Sequence, residues 1–363
     1  MIHFHPLRVS ALRRETDDSV VLSFEVPEAL RETFRFSPGQ YLTLKRGTGP
    51  EEARRSYSIC AAPGEALRAG VRRVPRGLFS PWVHGVLRVG DTLDVMEPQG
   101  RFGAVLAQGH PGHVLLIAGG SGITPILGIL RTLLEQGRHT RCTLLYGNRT
   151  AASTMFKEEL EDLKNRHLTR LALHPVFSRE QVDAPLAAGR LDRERITRFL
   201  QTLIDPQGID QAFICGPHAM NDEAQAALRA AGVPDERIHI ERFGLPPGAI
   251  DGAADSPESE PEHEHEDADY ATITLVRDGL TRTLQFDKEA DPNILEAAAR
   301  HGLDVPYSCK SGVCATCRAR LIDGEVRMER NFALEQADLD AGFILTCQAH
   351  PLTDRVVVSF DHR

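Results

Sequence analysis

Four of the seven cysteines lie close together late in the chain, in a pattern that suits an iron–sulphur cluster. Cys309, Cys314 and Cys317 are separated by four and then two residues, and Cys347 follows after twenty-nine more. This spacing is typical of a [2Fe–2S] cluster, in which each iron needs two thiolate ligands besides the bridging sulphides. The pattern therefore predicts that these four residues are the cluster ligands.

The residues between the cysteines indicate a tight loop. Ser311, Gly312, Ala315 and Thr316 are small, so backbone N–H groups can approach the cluster sulphurs. Four cysteines could instead hold one tetrahedral zinc ion, but zinc sites usually pair two short C-x2-C segments. Three close cysteines and one distant cysteine favour the binuclear iron cluster.

A second motif, Arg55-Ser56-Tyr57-Ser58, lies on a predicted strand and has the groups that a flavin requires. These are a cation for the pyrophosphate, an aromatic side chain for the ring and a hydrogen-bond partner near N5. Strand alternation directs Arg55 and Tyr57 to one face and Ser56 and Ser58 to the other. A plain strand with an exposed arginine is the alternative.

The segment Gly77-Leu78-Phe79-Ser80, about twenty residues later, strengthens the flavin interpretation. Ser80 is predicted to be a helix N-cap, with Pro81 at the first helical position. Backbone N–H groups of this segment would then face a phosphate at the helix N-terminus.

A third motif, Gly119-Gly120-Ser121-Gly122-Ile123-Thr124-Pro125, joins an apolar strand to a helix and could approach a pyrophosphate. It is not a G-x-G-x-x-G fingerprint, so a simple glycine turn is the alternative. Cys215-Gly216-Pro217 ends the fourth strand of the same predicted sheet, at the edge where such sheets bind ligands. Cys215 could also be an ordinary buried cysteine, as Cys60 and Cys142 are predicted to be.

The residues that follow the second strand bear on the choice of coenzyme. NAD enzymes usually place a carboxylate there for the ribose 2′-hydroxyl, whereas this chain has Asn148 and Arg149. Cations favour a 2′-phosphate. This indicates NADPH, with NADH as the less favoured coenzyme.

These motifs fall into distinct regions of the chain. Short β-branched runs over residues 1–108 predict a small antiparallel barrel or sandwich, and alternating strands and helices over 109–244 predict an α/β domain with a parallel sheet. Residues 245–270 are predicted to be a linker, because nine acids and no Lys or Arg lie between 251 and 270. Residues 271–363 begin with a predicted hairpin around Asp278-Gly279 and a helix.

Composition excludes several classes of protein. The 363 residues are 41% hydrophobic and carry a formal charge of −9, so no basic surface for nucleic acid is indicated. No segment has the length and apolarity of a membrane span, and the N-terminus has no basic and apolar signal pattern. A cytoplasmic location is the expectation.

Taken in order, R-x-Y-S, G-x-x-S, A-G-G-S-G-I-T-P and C-G-P resemble the ferredoxin-NADP reductase family, and residues 271–363 resemble plant-type ferredoxins. The resemblance implies three domains: an antiparallel β-barrel that binds FAD, an α/β domain that binds NAD(P), and a β-grasp ferredoxin domain. It also likens Ser178-Arg179, after the third strand, to a segment that contacts the 2′-phosphate; Arg179 facing solvent is the alternative.

The same resemblance assigns roles to individual residues. It puts Arg55 on the FAD pyrophosphate, Tyr57 against the isoalloxazine, Ser58 near N5 and Cys215 beside the nicotinamide, with Glu241 near the flavin. Phe243 stands where many members have tyrosine, which preserves stacking but not the phenol hydrogen bond. Catalysis is assigned to Ser58, Cys215 and Glu241. Cofactor binding is assigned to Arg55, Ser56, Tyr57, Ser58, Gly77, Leu78, Phe79, Ser80, Gly119, Gly120, Ser121, Gly122, Thr124, Asn148, Arg149, Ser178, Arg179, Cys215, Gly216, Pro217 and Phe243.

The predicted cofactors define a route for electrons. Hydride carries two electrons and a [2Fe–2S] cluster accepts one, so FAD is needed between NADPH and the cluster. The resemblance implies a di-iron oxygenase complex as the acceptor, with another oxygenase or a fatty-acyl desaturase as alternatives. A non-catalytic electron carrier or assembly subunit and a zinc-binding interaction module are alternatives from other classes.

Overall fold

The structure, a computed structural model, describes residues 3–48, 52–109, 111–137, 139–244 and 270–362. The predicted acidic linker lies outside these residues, apart from Tyr270. Two compact units are present. The larger comprises Phe4–Gly47 and Arg55–Phe243, and the smaller contains the described part of the chain from Gly244 onward.

The first sheet of the larger unit is antiparallel and has six strands in the order β4-β3-β6-β1-β2-β5. Beyond the end of β4, Ile59 pairs with Ala69 of β5, which closes the sheet into a barrel. A short helix, α1 (Ser80–Gly85), connects β5 to β6. The strands are β1 (Phe4–Thr16), β2 (Ser19–Glu25), β3 (Tyr41–Arg46), β4 (Ala53–Ser58), β5 (Arg68–Arg72) and β6 (Thr92–Met96).

The second sheet of the larger unit is parallel, with the strand order β11-β10-β7-β8-β9. Alternate residues of β7 enter two separate cores: Val114 and Leu116 pack with α2 and α3, and Leu115 and Ile117 pack with α4 and α5. The elements are β7 (His113–Gly119), α2 (Ile123–Gln136), β8 (Arg141–Asn148), α3 (Lys157–Arg166), β9 (Leu171–Phe177), α4 (Arg193–Thr202), β10 (Gln211–Gly216), α5 (His218–Ala230) and β11 (Ile238–Arg242).

The smaller unit is a mixed sheet with the order β13-β12-β18-β14-β16, next to a two-stranded sheet of β15 and β17. The buried face of α6 packs on the larger of these two sheets, which is the arrangement expected of a β-grasp domain. Its elements are β12 (Tyr270–Arg277), β13 (Leu280–Asp287), α6 (Ile294–Arg300), β14 (Arg318–Asp323), β15 (Val326–Met328), α7 (Gln336–Asp340), β16 (Phe343–Leu345), β17 (Ala349–Pro351) and β18 (Arg355–Ser359).

The fold predicted from sequence is confirmed for all three domains. The helix α3 begins at Lys157, after a short 3-10 turn over Ala151–Ser153. Thr150 and Ser153 cap each other around a short 3-10 turn, and Phe156 adopts a left-handed conformation (φ 57°) whose N–H donates to Glu15 at 2.8 Å. Within the described residues, no helix has the length and apolarity needed to cross a membrane.

Candidate functional site

The flavin motif lies along β4, and its two serine side chains contact β3 and β11. The hydroxyl of Ser56 lies 3.2 Å from that of Thr43 on β3, and the hydroxyl of Ser58 donates to Glu241 at 3.2 Å. The ring of Tyr57 packs beside Phe79, with 5.9 Å between ring centroids. Burial raises the pKa of Tyr57 well above its usual value, so this phenol stays neutral.

The Gly77–Ser80 segment leads directly into α1, as predicted, but the helix begins one residue earlier than expected. Phe79 is the N-cap, and its backbone angles are already helical (φ −93°, ψ −52°). Ser80 is the first residue of the helix. The hydroxyl of Ser80 accepts a hydrogen bond from the N–H of Val74 at 2.9 Å. The predicted N-cap role of Ser80 is therefore wrong, and its side chain instead binds the backbone two residues beyond the end of β5.

Ser58, Cys215 and Glu241 come from three different strands. Cys215 on β10 and Glu241 on β11 are register partners in the parallel sheet, and Ser58 reaches Glu241 from the barrel. Burial raises the pKa of Glu241 to about 8, so its carboxyl is largely protonated at neutral pH. Burial and the neighbouring Glu241 raise the pKa of Cys215, which keeps it a thiol. The three predicted catalytic residues form a cluster that includes a neutral carboxylic acid.

The two glycine-containing loops pack against each other at the carboxyl edge of the parallel sheet. A β-carbon added at Gly122 would overlap the carbonyl oxygen of Cys215, and one at Gly119 would lie 2.7 Å from the Pro217 ring. Thr124 secures the start of α2, because its hydroxyl donates to the Ser121 carbonyl at 3.0 Å. β7 and β10 are neighbours here, so the loops meet at the point where the strand order reverses, a common ligand site in such sheets.

Arg72, which belongs to none of the sequence motifs, lies against the same glycine loop. A β-carbon at Gly120 would lie 2.9 Å from its Nη1. Its Nε donates to Asp18 at 3.0 Å, and its Nη2 donates to the Ser153 carbonyl at 3.2 Å. The guanidinium is thus held at the loop predicted to take a pyrophosphate. Arg72 belongs to the barrel, so only the packing of two domains could reveal its position.

The four residues predicted to set coenzyme preference lie at the ends of β8 and β9. Backbone hydrogen bonds from Ser178 to Asn148 (2.9 Å) and from Arg179 to Arg149 (2.8 Å) extend the strand pairing and bring the two arginines side by side. Arg179 is exposed and Asn148 is buried. Arg149 is 52% exposed and donates to Asp18 at 3.1 Å.

The four predicted cluster ligands form two sulphur pairs. Cys309 lies in hydrogen-bonding contact with Cys314, and Cys317 lies in hydrogen-bonding contact with Cys347. Hydrogen bonds from Cys314 and Ser311 lower the pKa of Cys309. Among the described residues, no three His, Cys, Asp or Glu side chains form a group suited to a single ion. Two pairs of thiols fit two irons, each with two thiolate ligands.

The backbone of the cysteine loop is shaped for such a cluster. Lys310 and Ala315 adopt left-handed conformations (φ 53° and 54°), which non-glycine residues rarely do. The N–H of Ser311 donates to the Cys309 sulphur at 3.4 Å, and the thiol of Cys314 lies 3.2 Å from the Thr316 hydroxyl. Of the small residues predicted to admit N–H groups to the sulphurs, Ser311 therefore does so, and Thr316 approaches a sulphur through its hydroxyl.

Family comparisons match all three domains. Residues 6–103 match the oxidoreductase FAD-binding domain, residues 116–226 match the oxidoreductase NAD-binding domain, and residues 278–352 match the 2Fe-2S iron-sulfur cluster binding domain. This chain combines the three domains. It is therefore an electron-transferring oxidoreductase that uses FAD, a nicotinamide coenzyme and a [2Fe–2S] cluster.

Full-length relatives define the family more closely. The chain is 44% identical to one of the subunits of 1,2-phenylacetyl-CoA epoxidase of Escherichia coli (strain K12), over 99% of both chains. It is 34% identical to the ferredoxin reductase component of 3-ketosteroid-9-alpha-monooxygenase of Rhodococcus rhodochrous, over 98% of this chain and 96% of the relative. The chain belongs to this family of flavin and iron–sulphur reductases.

Solved structures confirm the fold. Phthalate dioxygenase reductase matches over 98% of both chains with a TM-score of 0.58 at 22% identity. An intact type IV self-sufficient cytochrome P450 monooxygenase matches 98% of this chain with a TM-score of 0.65 and 22% identity, and this chain spans 41% of that longer protein.

Proposed function

We propose that this chain transfers electrons from NADPH to a di-iron oxygenase that epoxidises phenylacetyl-CoA. The observation that carries the choice of acceptor is the 44% identity to the 1,2-phenylacetyl-CoA epoxidase polypeptide of Escherichia coli over 99% of both chains. A cytoplasmic location is part of the proposal. It is supported by the seven cysteines, all within the described residues, none of which is in a disulfide.

The cluster of Ser58, Glu241 and Cys215 supports the first half of the route. The carboxyl group of Glu241 is largely protonated near neutrality, and the Ser58 hydroxyl connects it to the flavin strand. When bound, FAD accepts a hydride and passes electrons on singly. Ser58 and Glu241 would hold the proton that this conversion takes up or releases, and the neutral thiol of Cys215 would provide an uncharged wall for the nicotinamide.

Two features support NADPH. The first is that Arg149 and Arg179 lie side by side at the edge of the sheet. The second is that the neighbouring carboxylate of Glu180 is already bound by a backbone donor, because it accepts a hydrogen bond from the Ala151 N–H at 2.6 Å. Two cations near an adenosine ribose favour the 2′-phosphate. Arg72 would contact the pyrophosphate, and Gly119–Gly122 would let the backbone approach it.

The first test is an anaerobic titration of the purified protein with NADPH and, separately, with NADH, followed between 350 and 600 nm. We expect NADPH to bleach both the flavin and the cluster bands at much lower concentrations than NADH. Equal efficiency of the two coenzymes would refute the NADPH preference. The absence of bleaching with either would refute the electron route, and iron and acid-labile sulphide contents would separate a cluster from zinc.

The acceptor is tested by reconstitution. The purified reductase is mixed with the oxygenase subunits of phenylacetyl-CoA epoxidase, phenylacetyl-CoA and NADPH, and product is quantified against NADPH consumed. The matched control replaces the oxygenase with that of glycine betaine monooxygenase, whose reductase subunit from Pseudomonas aeruginosa is 28% identical to this chain. Coupled epoxide formation supports the assignment. NADPH oxidation without product, or better coupling to the control oxygenase, would contradict it.

A further inference from the structure

Gln348 follows the fourth cysteine of the cluster site, and its side chain is buried beneath the loop that carries the first three. It is 6% exposed. Its amide nitrogen Nε2 lies 2.7 Å from the Cys347 carbonyl oxygen, 3.1 Å from the Lys310 carbonyl oxygen and 3.7 Å from the Cys347 sulphur. One side chain therefore contacts the distant ligand Cys347 and the loop that begins at Cys309.

The direction of the amide group is determined by its partners. Carbonyl oxygens only accept hydrogen bonds, so the group facing both Lys310 and Cys347 must be the NH2. An amide turned the other way would place its oxygen against two carbonyl oxygens. The N–H bonds thus point toward the carbonyls and the sulphur.

The position of Gln348 is restricted by its backbone hydrogen bonds and by the close approach of Gly312. Its backbone N–H donates to the Leu345 carbonyl at 2.9 Å, and its carbonyl accepts from the Glu329 N–H at 3.0 Å. Above it, a β-carbon at Gly312, where φ is +76°, would lie 3.1 Å from the Gln348 Cγ. The side chain has little room to choose another rotamer, so it presents its N–H groups in one direction.

We propose that Gln348 is a positioning residue that holds Cys347 against the cluster loop and raises the reduction potential of the [2Fe–2S] site. An N–H donor beside a thiolate ligand withdraws negative charge from the cluster, and the more negative reduced state gains more from this than the oxidised state. The same amide bridges Cys347 and Lys310, and so it fixes the positions of the two sulphur pairs relative to each other.

The test is the midpoint potential of the full-length protein with its cofactors, measured by a redox titration followed by electron paramagnetic resonance. Gln348→Met keeps the length of the side chain and removes the donor. We expect about a tenfold shift of the reduction equilibrium toward the oxidised cluster, equivalent to ~59 mV for a one-electron couple. Gln336→Met, an exposed change on α7, is the matched control and should leave the potential unchanged.

A normal potential in Gln348→Met with full iron and sulphide content would overturn the proposal. If Gln348→Met does not retain the cluster, Gln348→Asn keeps the amide but is one methylene too short to reach the sulphur. A lowered potential in that variant supports the proposal, whereas an unchanged potential, or cluster loss in both variants, would reject the effect on potential. The measurement uses a chemical reductant, so its outcome is independent of the coenzyme and acceptor assigned above.

Discussion

Gly128, in the middle of α2, lies directly against the carbonyl oxygen of Ile59. A β-carbon at Gly128 would lie 2.9 Å from that oxygen and 3.1 Å from the carbonyl oxygen of Ala61. α2 begins at the glycine loop that is predicted to bind the nucleotide, and Ile59 comes directly after Ser58, the last residue of β4. The helix that starts at the predicted nucleotide site therefore packs on the backbone that follows the predicted flavin motif.

Replacing Gly128 with alanine tests whether this contact sets the distance between the two sites. Helix propensity alone favours alanine by about 1 kcal/mol. We expect the steric conflict with Ile59 and Ala61 to outweigh that gain and to lower stability by about 1–2 kcal/mol. Flavin reduction by NADPH should slow in stopped-flow measurements while FAD content stays normal. Gly85→Ala, where nothing lies within 4 Å of the added carbon, is the control. A variant that is more stable and equally fast would contradict the argument.

Arg131 of α2 joins the barrel and the α/β domain through two carboxylates. Its Nε donates to Glu65 at 3.0 Å and its Nη1 donates to Glu159 at 2.6 Å, and all three side chains are largely buried. Arg131→Met leaves both carboxylates without this partner, so we expect a loss of about 2–3 kcal/mol in urea unfolding. Arg198→Met removes an exposed partner of Glu194 and should cost less than about 0.5 kcal/mol. Equal losses in the two variants would show that Arg131 contributes no more than a surface pair.

The raised pKa of Glu241 should make the stability of the folded protein depend on pH. Burial raises its pKa to about 8, above the ~4.3 of an unfolded glutamate, so the folded protein binds more protons between these values. Stability should therefore decrease as pH rises from about 4.3 to 8, and Glu241→Gln should remove this part of the decrease. Unfolding of both proteins at pH 5 and pH 8.5 measures it. An identical pH dependence in the two proteins would mean that the carboxyl titrates normally.

The two arginines at the sheet edge should contribute unequally to coenzyme choice. Arg149 donates to Asp18, whereas Arg179 is exposed. We expect Arg179→Gln to lower kcat/KM for NADPH about 10- to 100-fold, the size of a charged hydrogen bond, with little change for NADH. Arg149→Gln should have the smaller effect, and Arg198→Gln should have none. Steady-state kinetics with both coenzymes decides this, and parallel losses for NADPH and NADH would argue against a 2′-phosphate contact.

Much of the site could be predicted from sequence because its motifs are local. The loop from Cys309 to Cys317, the R-x-Y-S strand and the glycine loop each depend on a short segment whose backbone geometry follows from its own residues. The structure brings Ser58, Cys215 and Glu241 together, and their roles at the cofactors stay predictions from the resemblance.

The contacts that the sequence could not show depend on tertiary packing. Arg72 reaches the glycine loop from a barrel strand, and Gln348 reaches Lys310 across 38 positions of the chain. Neither residue belongs to a periodic pattern or a motif. The short strands β15, β16 and β17 were likewise beyond prediction, because three residues are too few to show an alternation.

The contacts between the barrel and the α/β domain determine how far this architecture can be recombined. Asp18 binds Arg149, Glu15 binds the backbone of Phe156, and Arg68 binds Glu159, so each domain supplies counter-charges to the other. A chimera that took only its α/β domain from a relative would separate these partners. Charged groups in both domains would then lack the groups that they bind here. The smallest interchangeable module is therefore the pair of domains, and an α/β domain moved without its own barrel would lose the Asp18 contact that orients Arg149.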